Sequence, residues 1–275
     1  GRALTRNEKL YIKRMQFMRY SHGITEGYIS MVRAAATQCD YARAAALGKK
    51  ALAVREQLTD MNGIFTTYRK YKVEHRGYAW WPGEIRQYEE LLPFIDGTKG
   101  KLIMKLPLEW AFHRDNDNKG LARGFANGPV DLTHWQANQA KLTPVNRKDY
   151  PDKWEMLRTD LYAQAQGIRH PNHQSYTGWL WYRTDLELKP EHTKGKVHLR
   201  FPGLFNECSL YVNGKEVAKR EQGKLWWKND YRFEWDVDLS GKLKPGKNTI
   251  ALRCHCEHHF GGMFRRPFLY QAVAE

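Results

Sequence analysis

The sequence has few cysteines and no long apolar run. Only four of its 275 residues are Cys (Cys39, Cys208, Cys254 and Cys256), too few for a disulfide framework at this length. One bridge from Cys208 to Cys254 or Cys256, and four free buried thiols, are both compatible with these positions. No apolar stretch approaches the ~20 residues that span a bilayer. A membrane-spanning helix and a membrane partner are therefore not expected.

The common catalytic motifs are also missing. The sequence contains no G-x-S-x-G, no H-E-x-x-H and no phosphate-binding loop. Glycoside hydrolysis needs two carboxylates that face each other across a cleft, and no Asp or Glu lies in a pattern that marks such a pair. We therefore do not expect this chain alone to be an enzyme. A hydrolase with an unrecognised site is kept as an alternative.

No secretion signal is visible at the amino terminus. The chain starts Gly1-Arg2-Ala3-Leu4, without Met and without the apolar stretch of a signal peptide. Such a start is typical of a cut inside a longer protein, or of a mature or engineered end. It neither indicates nor excludes secretion.

What the sequence does have is apolar content and positive charge. Hydrophobic residues make up 41% and aromatic residues 13%, so a packed core is expected. The net charge is +15, with 17 Lys/Arg against 10 Asp/Glu in residues 1–99 and the rest of the excess in residues 100–275. This charge favours anionic partners such as sulfated or carboxylated polysaccharide, nucleic acid or a membrane surface. Solubility alone is the competing explanation.

The first part of the chain is predicted to be helical. Apolar residues recur every three to four positions over residues 4–58, which indicates two long helices with a break near Gln38–Tyr41. Asp40 is the expected N-cap of the second helix, and Asn62-Gly63 the expected stop. A shorter helix is predicted over residues 64–71. We define a helical segment over 1–71 and a connector over 72–99.

The remainder, residues 100–275, alternates like the strands of an antiparallel β-sandwich. A first strand is predicted over 101–112, a helical turn over 131–135 and an inserted helix over 152–165. Further strands are predicted at about 178–188, 195–203, 207–213, 216–219, 231–238, 247–256 and 263–273. Asn213-Gly214 is a strong signal for a two-residue hairpin.

Two stretches resemble metal sites. The loop from Arg114 to Gly120 has Asp115 and Asp117 where a calcium loop needs them, but Lys119 and Ala126 occupy two ligand positions. The favoured interpretation is a polar turn at the end of a strand. Cys254-His255-Cys256-Glu257-His258-His259 suggests zinc, but the thiol spacing is wrong and no second pair exists. We expect no cofactor, with two core-facing thiols in the second stretch.

Residues 102–273 resemble the galactose-binding-like jelly roll, the non-catalytic sugar-binding domain attached to family 2 glycoside hydrolases. The resemblance is carried by the following segments, in the family's order: Leu108-Glu109-Trp110-Ala111-Phe112 with Asp115 and Gly120, Asp131 with Trp135, Gly178-Trp179-Leu180-Trp181-Tyr182-Arg183, Val197–Phe201, Tyr211–Val217, Leu243–Arg253 and Gly261–Phe268. The resemblance implies a mainly β fold after an α-helical N-terminal segment. It is specific for fold and weak for function.

A second, looser resemblance covers Arg14 to Leu58. This segment is similar to the helices that follow the catalytic barrel in some bacterial glycoside-hydrolase-like proteins. Together the resemblances imply the C-terminal part of a polysaccharide-degrading enzyme, with its catalytic domain elsewhere in the same polypeptide. They also imply a secreted, cell-surface or periplasmic location in a bacterium.

The expected ligand site is a rim of the sandwich built from three loops. Adjacent Trp side chains cannot share one face of a strand, so one ring of the Trp226-Trp227 pair is expected to be accessible for stacking on a sugar. Flanking Lys could hold sulfate or carboxylate. The predicted ligand-binding residues are Trp226, Trp227, Lys224, Lys228, His258, His259, Arg265, Arg266, His173 and Tyr176. Ordinary core packing and solvated loops are the competing interpretations.

Neighbouring residues are given structural roles. Trp181 is predicted to lie in the core, and Arg183 to be a structural hydrogen-bond donor rather than a ligand contact. His170, Asn172 and Gln174, in the loop before Trp179, suit sugar hydroxyls by residue type.

The sequence thus predicts a non-catalytic module of a larger carbohydrate-active enzyme that binds polysaccharide, with sulfated or otherwise anionic polysaccharides as the expected class. One alternative is a structural region that braces a catalytic barrel and has no ligand of its own. Another is nucleic-acid binding through the basic surface, for which no motif is found.

Overall fold

The computed structural model describes residues 2–61, 80–221, 233–257 and 260–273, with only the backbone at residues 80 and 81. It divides into two units, Gly1–Leu92 and Pro93–Glu275. The first holds helices and the second holds the sheets. In the described residues, no helix is both long enough and apolar enough to cross a membrane.

The described residues of the first unit form three helices: α1 Arg6–Val32, α2 Tyr41–Met61 and α3 Trp80–Leu91. A π-helical turn, Arg33–Thr37, follows α1 and ends just before the predicted break. Asp40 accepts a hydrogen bond from the Arg43 amide (3.1 Å), which confirms its predicted role as N-cap of α2. The helix α3 lies in the stretch assigned to a connector. The stop at Asn62-Gly63 and the helix predicted over 64–71 lie outside the described residues.

Small residues let these helices approach closely. A Cβ on Gly27 of α1 would come within 2.5 Å of the Ala51 Cβ on α2. A Cβ on Gly48 of α2 would come within 2.6 Å of both Met31 of α1 and Ile85 of α3. The backbones therefore pack where larger side chains would hold them apart.

The second unit contains the strands and, in its described residues, one short helix. The strands are β1 Gly100–Lys105, β2 Glu109–Asp115, β3 Glu155–Arg158, β4 Gly178–Leu188, β5 Val197–Phe201, β6 Leu204–Phe205, β7 Glu207–Val212, β8 Lys215–Arg220, β9 Trp235–Asp238, β10 Gly246–Cys256, β11 Gly262–Met263 and β12 Phe268–Ala272. The helix α4, Thr133–Asn138, lies where a helical turn was predicted over 131–135. Short 3-10 turns cover Leu92–Phe94, Gln139–Lys141, Arg147–Asp149, Gln164–Gln166 and Pro190–Thr193.

The strands form an antiparallel β-sandwich, as the sequence predicts. The smaller sheet has the order β1-β12-β5-β9 and the larger the order β3-β2-β4-β10-β7-β8; β6 and β11 form a separate pair. One apolar core contains side chains from both sheets, including Leu199 and Leu269 of the smaller sheet and Leu180 and Leu252 of the larger. Burial of this shared core is the main force that holds the sheets together.

The larger sheet is covered on its outer face as well. Trp181, Tyr211 and Ala251 point away from the shared core and pack against Phe125 and Trp154, which belong to the long irregular segment after β2. Trp181 is fully buried, which confirms its predicted place in the core. Arg183 donates to the Gly128 carbonyl and so acts as the predicted structural donor.

Two predictions about local structure are wrong. The single strand predicted over 101–112 is two strands in different sheets, because Pro107 lies between them and cannot donate to a ladder. The helix predicted over 152–165 is instead strand β3, which pairs with β2. Its residues alternate with a period of two: Leu157 points into the shared core and Met156 packs on the outer face.

The cysteines are free and buried. Cys208 and Cys254 face each other across β7 and β10, with their Sγ atoms 3.6 Å apart. Cys254 and Cys256 both lie in the shared core, as predicted. The predicted hairpin is also present: Asn213 and Gly214 join β7 to β8, both with positive φ (50° and 82°), as a type I′ turn requires.

Candidate ligand-binding site

A pocket of about 470 Å³ opens at one end of the larger sheet, where β2 ends and β4 begins. Its volume lies within the range of small-molecule sites, about 300–1,000 Å³. The lining consists of charged, aromatic and small polar residues: Arg114, Asp115, Asn116, Lys148, Tyr150, Asp152, Arg169, His170, Pro171, Tyr176, Thr177, Gly178 and Trp179. Three stretches of chain therefore meet around one cavity.

The sheet end of the pocket is fixed by Asp115, the last residue of β2. Its carboxylate accepts hydrogen bonds from the Trp181 indole (3.0 Å) and from the Gly120 amide (2.9 Å). A Cβ at residue 120 would come within 2.4 Å of the Trp181 indole nitrogen, so only glycine fits there. The carboxylate is almost fully buried. It thus serves as a structural acceptor, and two of its acceptor positions are occupied by the protein.

Trp179, the second residue of β4, supplies a half-buried aromatic wall. The ring of His255 on β10 stacks on it at 4.4 Å, and the Arg253 guanidinium lies 3.6 Å from the centre of the indole. These contacts from the neighbouring strand hold the indole in one orientation. Trp179 is therefore a pre-ordered aromatic surface at the edge of the cavity.

The loop before β4 forms the opposite wall. The Thr177 amide donates to the His170 Nε2 (3.1 Å), which closes the loop on itself. The imidazole also packs beside the ring of Tyr176, with centres 5.0 Å apart. Tyr176 is buried and donates its hydroxyl to the Trp179 carbonyl (3.2 Å), and its burial raises the pKa of that hydroxyl. The loop thus presents imidazole and backbone groups to the pocket.

Positive charge in the pocket comes from Arg114, Arg169 and Lys148. Arg114 is largely buried and donates to the Tyr150 carbonyl. Arg169 is exposed and donates to the His173 carbonyl (3.3 Å). Neither arginine forms an ion pair within the described residues, whereas Lys148 pairs with the adjacent Asp149 (2.7 Å).

The accessible negative charge in the lining comes from Asp152. Its side chain is about half exposed and lies 3.7 Å from the Nδ1 of His113. Burial lowers the pKa of His113, while its bond to the Arg114 carbonyl and the charge of Asp152 oppose that shift. Asp152 also accepts a long hydrogen bond from the Asn116 side chain (3.5 Å), and its exposed carboxylate has room to accept further ones.

The walls of the pocket are tied to the next loop by Gln164. Its buried side-chain amide donates to the Tyr176 carbonyl (2.9 Å) and accepts from the Gly261 amide (2.9 Å). The Cys256 thiol beside it lies 2.9 Å from the Phe260 carbonyl and 3.7 Å from the Tyr176 carbonyl. The loop before β4 and the loop after β10, two of the three predicted rim loops, are thus joined by one buried side chain.

The predicted site residues fall into four groups. Tyr176 lines the pocket, together with His170 from the same loop. His173 lies exposed in that loop without lining the pocket. Arg265 and Arg266 donate to the backbone carbonyls of Pro202 and Leu106. The remaining predictions lie outside the described residues: Trp226, Trp227, Lys224, Lys228, His258 and His259.

The carboxylates of the suspected calcium loop are used by the protein. Asp117 pairs with Arg123 through two hydrogen bonds (2.9 and 2.6 Å), and Asp115 binds the Trp181 indole and the Gly120 amide. Among the described residues, no group of three or more His, Cys, Asp or Glu side chains is placed to hold a metal. The loop is a polar turn at the end of β2.

Sequence reasoning missed most of the pocket. Arg114, Lys148, Asp152 and Arg169 come from three separate stretches, and no local spacing marks them as neighbours. The available signal was indirect: the irregular stretch over 121–175 is long for a connection without a purpose.

No family model matches the chain. Over 122 residues it is 27% identical to a protein of Formosa agariphila named "Putative beta-glucuronidase"; the alignment covers 38% of this chain and 11% of that protein. Over 75 residues it is 29% identical to the exo-beta-D-glucosaminidase of Amycolatopsis orientalis, covering 27% of this chain and 7% of the enzyme. The matches thus span about a tenth, or less, of the length of these curated relatives.

Among solved structures, the beta-glucuronidase of Ruminococcus gnavus aligns with 64% of this chain and 29% of its own length, at 18% identity and a TM-score of 0.47. The two curated relatives are glycoside hydrolases by name. The fold and the site define an antiparallel β-sandwich with a charged, aromatic-walled pocket at one end of its larger sheet. Part of the chain is similar in sequence to a small portion of each glycoside hydrolase.

Proposed function

We propose that this chain is a non-catalytic accessory region of a larger carbohydrate-active enzyme, and that its β-sandwich binds polysaccharide. The pocket beside Trp179 carries the proposal. It combines an aromatic surface, which can stack on the C–H face of a sugar ring, with the donors and acceptors that sugar hydroxyls need. The partial similarity to two glycoside hydrolases supports the carbohydrate context.

The pocket favours binding over catalysis. Glycosidases commonly use two carboxyl groups, about 5–5.5 Å apart in retaining enzymes and about 6.5–9.5 Å in inverting ones. Of the two carboxylates in the lining, Asp115 already accepts two hydrogen bonds from the protein and is almost fully buried. That leaves Asp152 alone to act on a sugar, which is enough for recognition but not for acid–base hydrolysis.

The proposed ligand is an anionic polysaccharide, and the proposed location is outside the cytoplasm. The net charge of +15 attracts anionic polymers at long range. The proposed location is secreted, cell-surface or periplasmic in a bacterium, and it rests only on the resemblance to the accessory regions of bacterial glycoside-hydrolase-like proteins.

A glycan array probed at two salt concentrations tests this function. We expect the wild-type chain to retain a subset of acidic glycans, with weaker retention at high salt. Trp179→Ala should lower retention if the pocket is the site, whereas Trp226→Ala or Trp227→Ala should lower it if the predicted rim loop contributes. Thermal unfolding of each variant separates lost binding from lost folding. If no glycan is retained at either salt concentration, the proposal is wrong.

A bracing role is the second candidate, and one observation favours it. The amino-terminal half of α1 exposes Leu10, Tyr11, Met15 and Met18, an unusual amount of apolar surface for one helix. A helix that braces a catalytic domain would cover these side chains against it. In that case their replacement by Ser would weaken association with that domain and leave glycan retention unchanged.

A further inference from the structure

The guanidinium of Arg114 lacks the partner that buried charges usually have. The residue is only 7% exposed, and its side chain makes one hydrogen bond, to the Tyr150 carbonyl. No carboxylate in the described residues lies within ion-pair distance of it. Burial of a charge without an ion pair costs free energy that hydrogen bonds or a ligand must offset.

The unused donors of Arg114 reach the pocket. A guanidinium carries five N–H donors, of which the Tyr150 carbonyl takes one. Each side-chain nitrogen of Arg114 either has a hydrogen-bond partner or is reached by solvent. Since the residue lines the cavity, its remaining donors are accessible from there.

A second unpaired arginine lines the same cavity. Arg169 is exposed, donates to the His173 carbonyl and forms no ion pair in the described part of the chain. Elsewhere in the sandwich, Arg123 and Arg158 pair with the carboxylates of Asp117 and Asp160, whereas Arg183, Arg220 and Arg253 donate to carbonyl or amide oxygens. Two guanidiniums without a carboxylate partner in the described residues therefore line one cavity.

The two carboxylates in the lining, Asp115 and Asp152, do not form ion pairs with these arginines. Asp115 is committed to Trp181 and Gly120, and Asp152 lies near His113 rather than either arginine. The pocket thus separates two functions: guanidiniums that suit an oxyanion, and a carboxylate that suits hydroxyl groups. Planar guanidiniums bind carboxylate and sulfate groups through paired, charge-assisted hydrogen bonds.

We propose that Arg114 and Arg169 bind an oxyanion carried on a sugar ring, which rests against Trp179 while Asp152 accepts hydrogen bonds from the ring hydroxyls. The oxyanion is the carboxylate of a uronic acid or a sulfate ester. This inference rests on the proposed function and adds to it the group that the pocket recognises. It makes the pocket selective for acidic sugars through direct contact, beyond the long-range attraction of the net charge.

Calorimetric titration of the whole chain with three oligosaccharides of matched backbone tests the inference: one with uronic acids, its carboxyl-reduced neutral counterpart, and the sulfated form of that neutral counterpart. We expect at least one acidic arm to bind about tenfold or more tighter than the neutral arm, because hydrogen bonds to charged groups are individually strong. The arm that binds tighter identifies the oxyanion.

Arginine variants test which residues bind the oxyanion. Arg169→Gln should weaken the acidic ligand about tenfold and leave the neutral ligand unchanged. Since Arg169 is exposed, the variant should fold. Arg114→Lys keeps the charge but loses the planar donor pair, and should weaken the acidic ligand as well. Arg14→Gln, an exposed arginine of α1, removes the same net charge away from the pocket and should change neither affinity.

The outcomes separate this inference from the function beneath it. Equal affinity for the acidic and neutral arms, or an equal loss in both arms for Arg169→Gln, overturns the oxyanion site and leaves the sugar-binding function standing. If Arg14→Gln and Arg169→Gln weaken binding of the acidic ligand equally, the preference for acidic sugars comes from net charge alone. That result would also overturn the oxyanion site. Absence of binding in all three arms overturns both proposals.

Discussion

The carboxylate of Asp115 accepts a hydrogen bond of 3.0 Å from the indole of Trp181, which lies 66 residues further along the chain. The two residues belong to adjacent strands of the larger sheet, β2 and β4. The same carboxylate accepts from the Gly120 amide and so fixes the turn that leaves β2. The buried carboxylate of Asp115 therefore connects the pocket wall to the turn after β2 and to the aromatic side chains on the outer face of the larger sheet.

Loss of that acceptor should destabilise the sandwich. Asp115→Asn replaces one carboxylate oxygen with a donor, which cannot serve both the indole and the Gly120 amide. We expect the free energy of unfolding to fall by about 1–3 kcal/mol, the cost of leaving a buried donor unsatisfied. Urea denaturation measures it. Asp117→Asn, on the same loop but about two-fifths exposed, is the control and should change stability by less than about 0.5 kcal/mol.

A double-mutant cycle decides whether the indole is the partner that matters. In a Trp181→Phe background the donor is already gone, so the cost of Asp115→Asn should shrink. Strict additivity of the two changes would show that the hydrogen bond between them contributes nothing.

Gln164 should control the order of two loops at once. Gln164→Leu removes the acceptor of the Gly261 amide and the donor to the Tyr176 carbonyl. We expect faster hydrogen exchange at the Gly261 amide and in residues 176–178, because local opening no longer breaks these bonds. Exchange mass spectrometry measures both regions. Gln174→Leu, exposed in the neighbouring loop, is the control and should leave exchange at Gly261 unchanged; unchanged exchange in Gln164→Leu would refute the coupling.

The buried His113 should make stability depend on pH. Burial lowers its pKa in the folded protein below the ordinary 6.5, so the unfolded chain takes up the proton more readily. Its stabilising contribution is therefore present above pH 6.5 and is lost as the pH falls from 6.5 through the folded pKa. Urea unfolding between pH 5 and 8, run on wild type and on His113→Gln, measures it.

The comparison between variants isolates this one group. The variant should lose part of the decline in stability at low pH. His22→Gln, with a side chain 81% exposed, should keep the wild-type profile. A decline of equal slope in wild type and His113→Gln would show that other groups cause it.

In the helical unit, Gly48 should be intolerant of a side chain. Gly48→Ala places a Cβ 2.6 Å from both Ile85 and Met31, in contact with the side chains that α2 packs against. Overpacking of this kind costs about 1–3 kcal/mol. Thermal or urea unfolding measures the loss. Gly83→Ala in α3, where a Cβ meets no described atom within 4 Å, is the control and should be neutral or stabilising.

The sequence predicted the elements whose signals are local. Alternation gave β4 and β10 close to their observed bounds, and Asn213-Gly214 predicted its hairpin because the turn itself requires positive φ. Asp40 was recognised because capping chemistry acts over three residues. Where one interaction dominates and its partners are close in sequence, pattern and structure agree.

The errors arose where residues far apart in the sequence determine the local structure. Residues 101–112 look like one strand, but Pro107 allows the chain to leave one sheet and enter the other. Residues 152–165 could pass for a helix, yet pairing with β2 fixes Glu155–Arg158 as a strand. Tyr176 was predicted as a ligand contact, but Arg114, Lys148 and Asp152 could not be, since only the folded chain makes them neighbours.

The pocket is lined by three separate stretches of chain, and its loops can change without a change in the strands. Arg114 and Trp179 stand on paired strands, while residues 148–152 and 169–177 are loops, of which Tyr176 alone belongs to the shared core. Changes in those loops that keep Tyr176 would reshape the pocket and leave the sheets intact. In evolutionary terms, a lineage carrying this sandwich can alter the shape and charge of this pocket through loop changes, while selection on stability keeps the two sheets as they are.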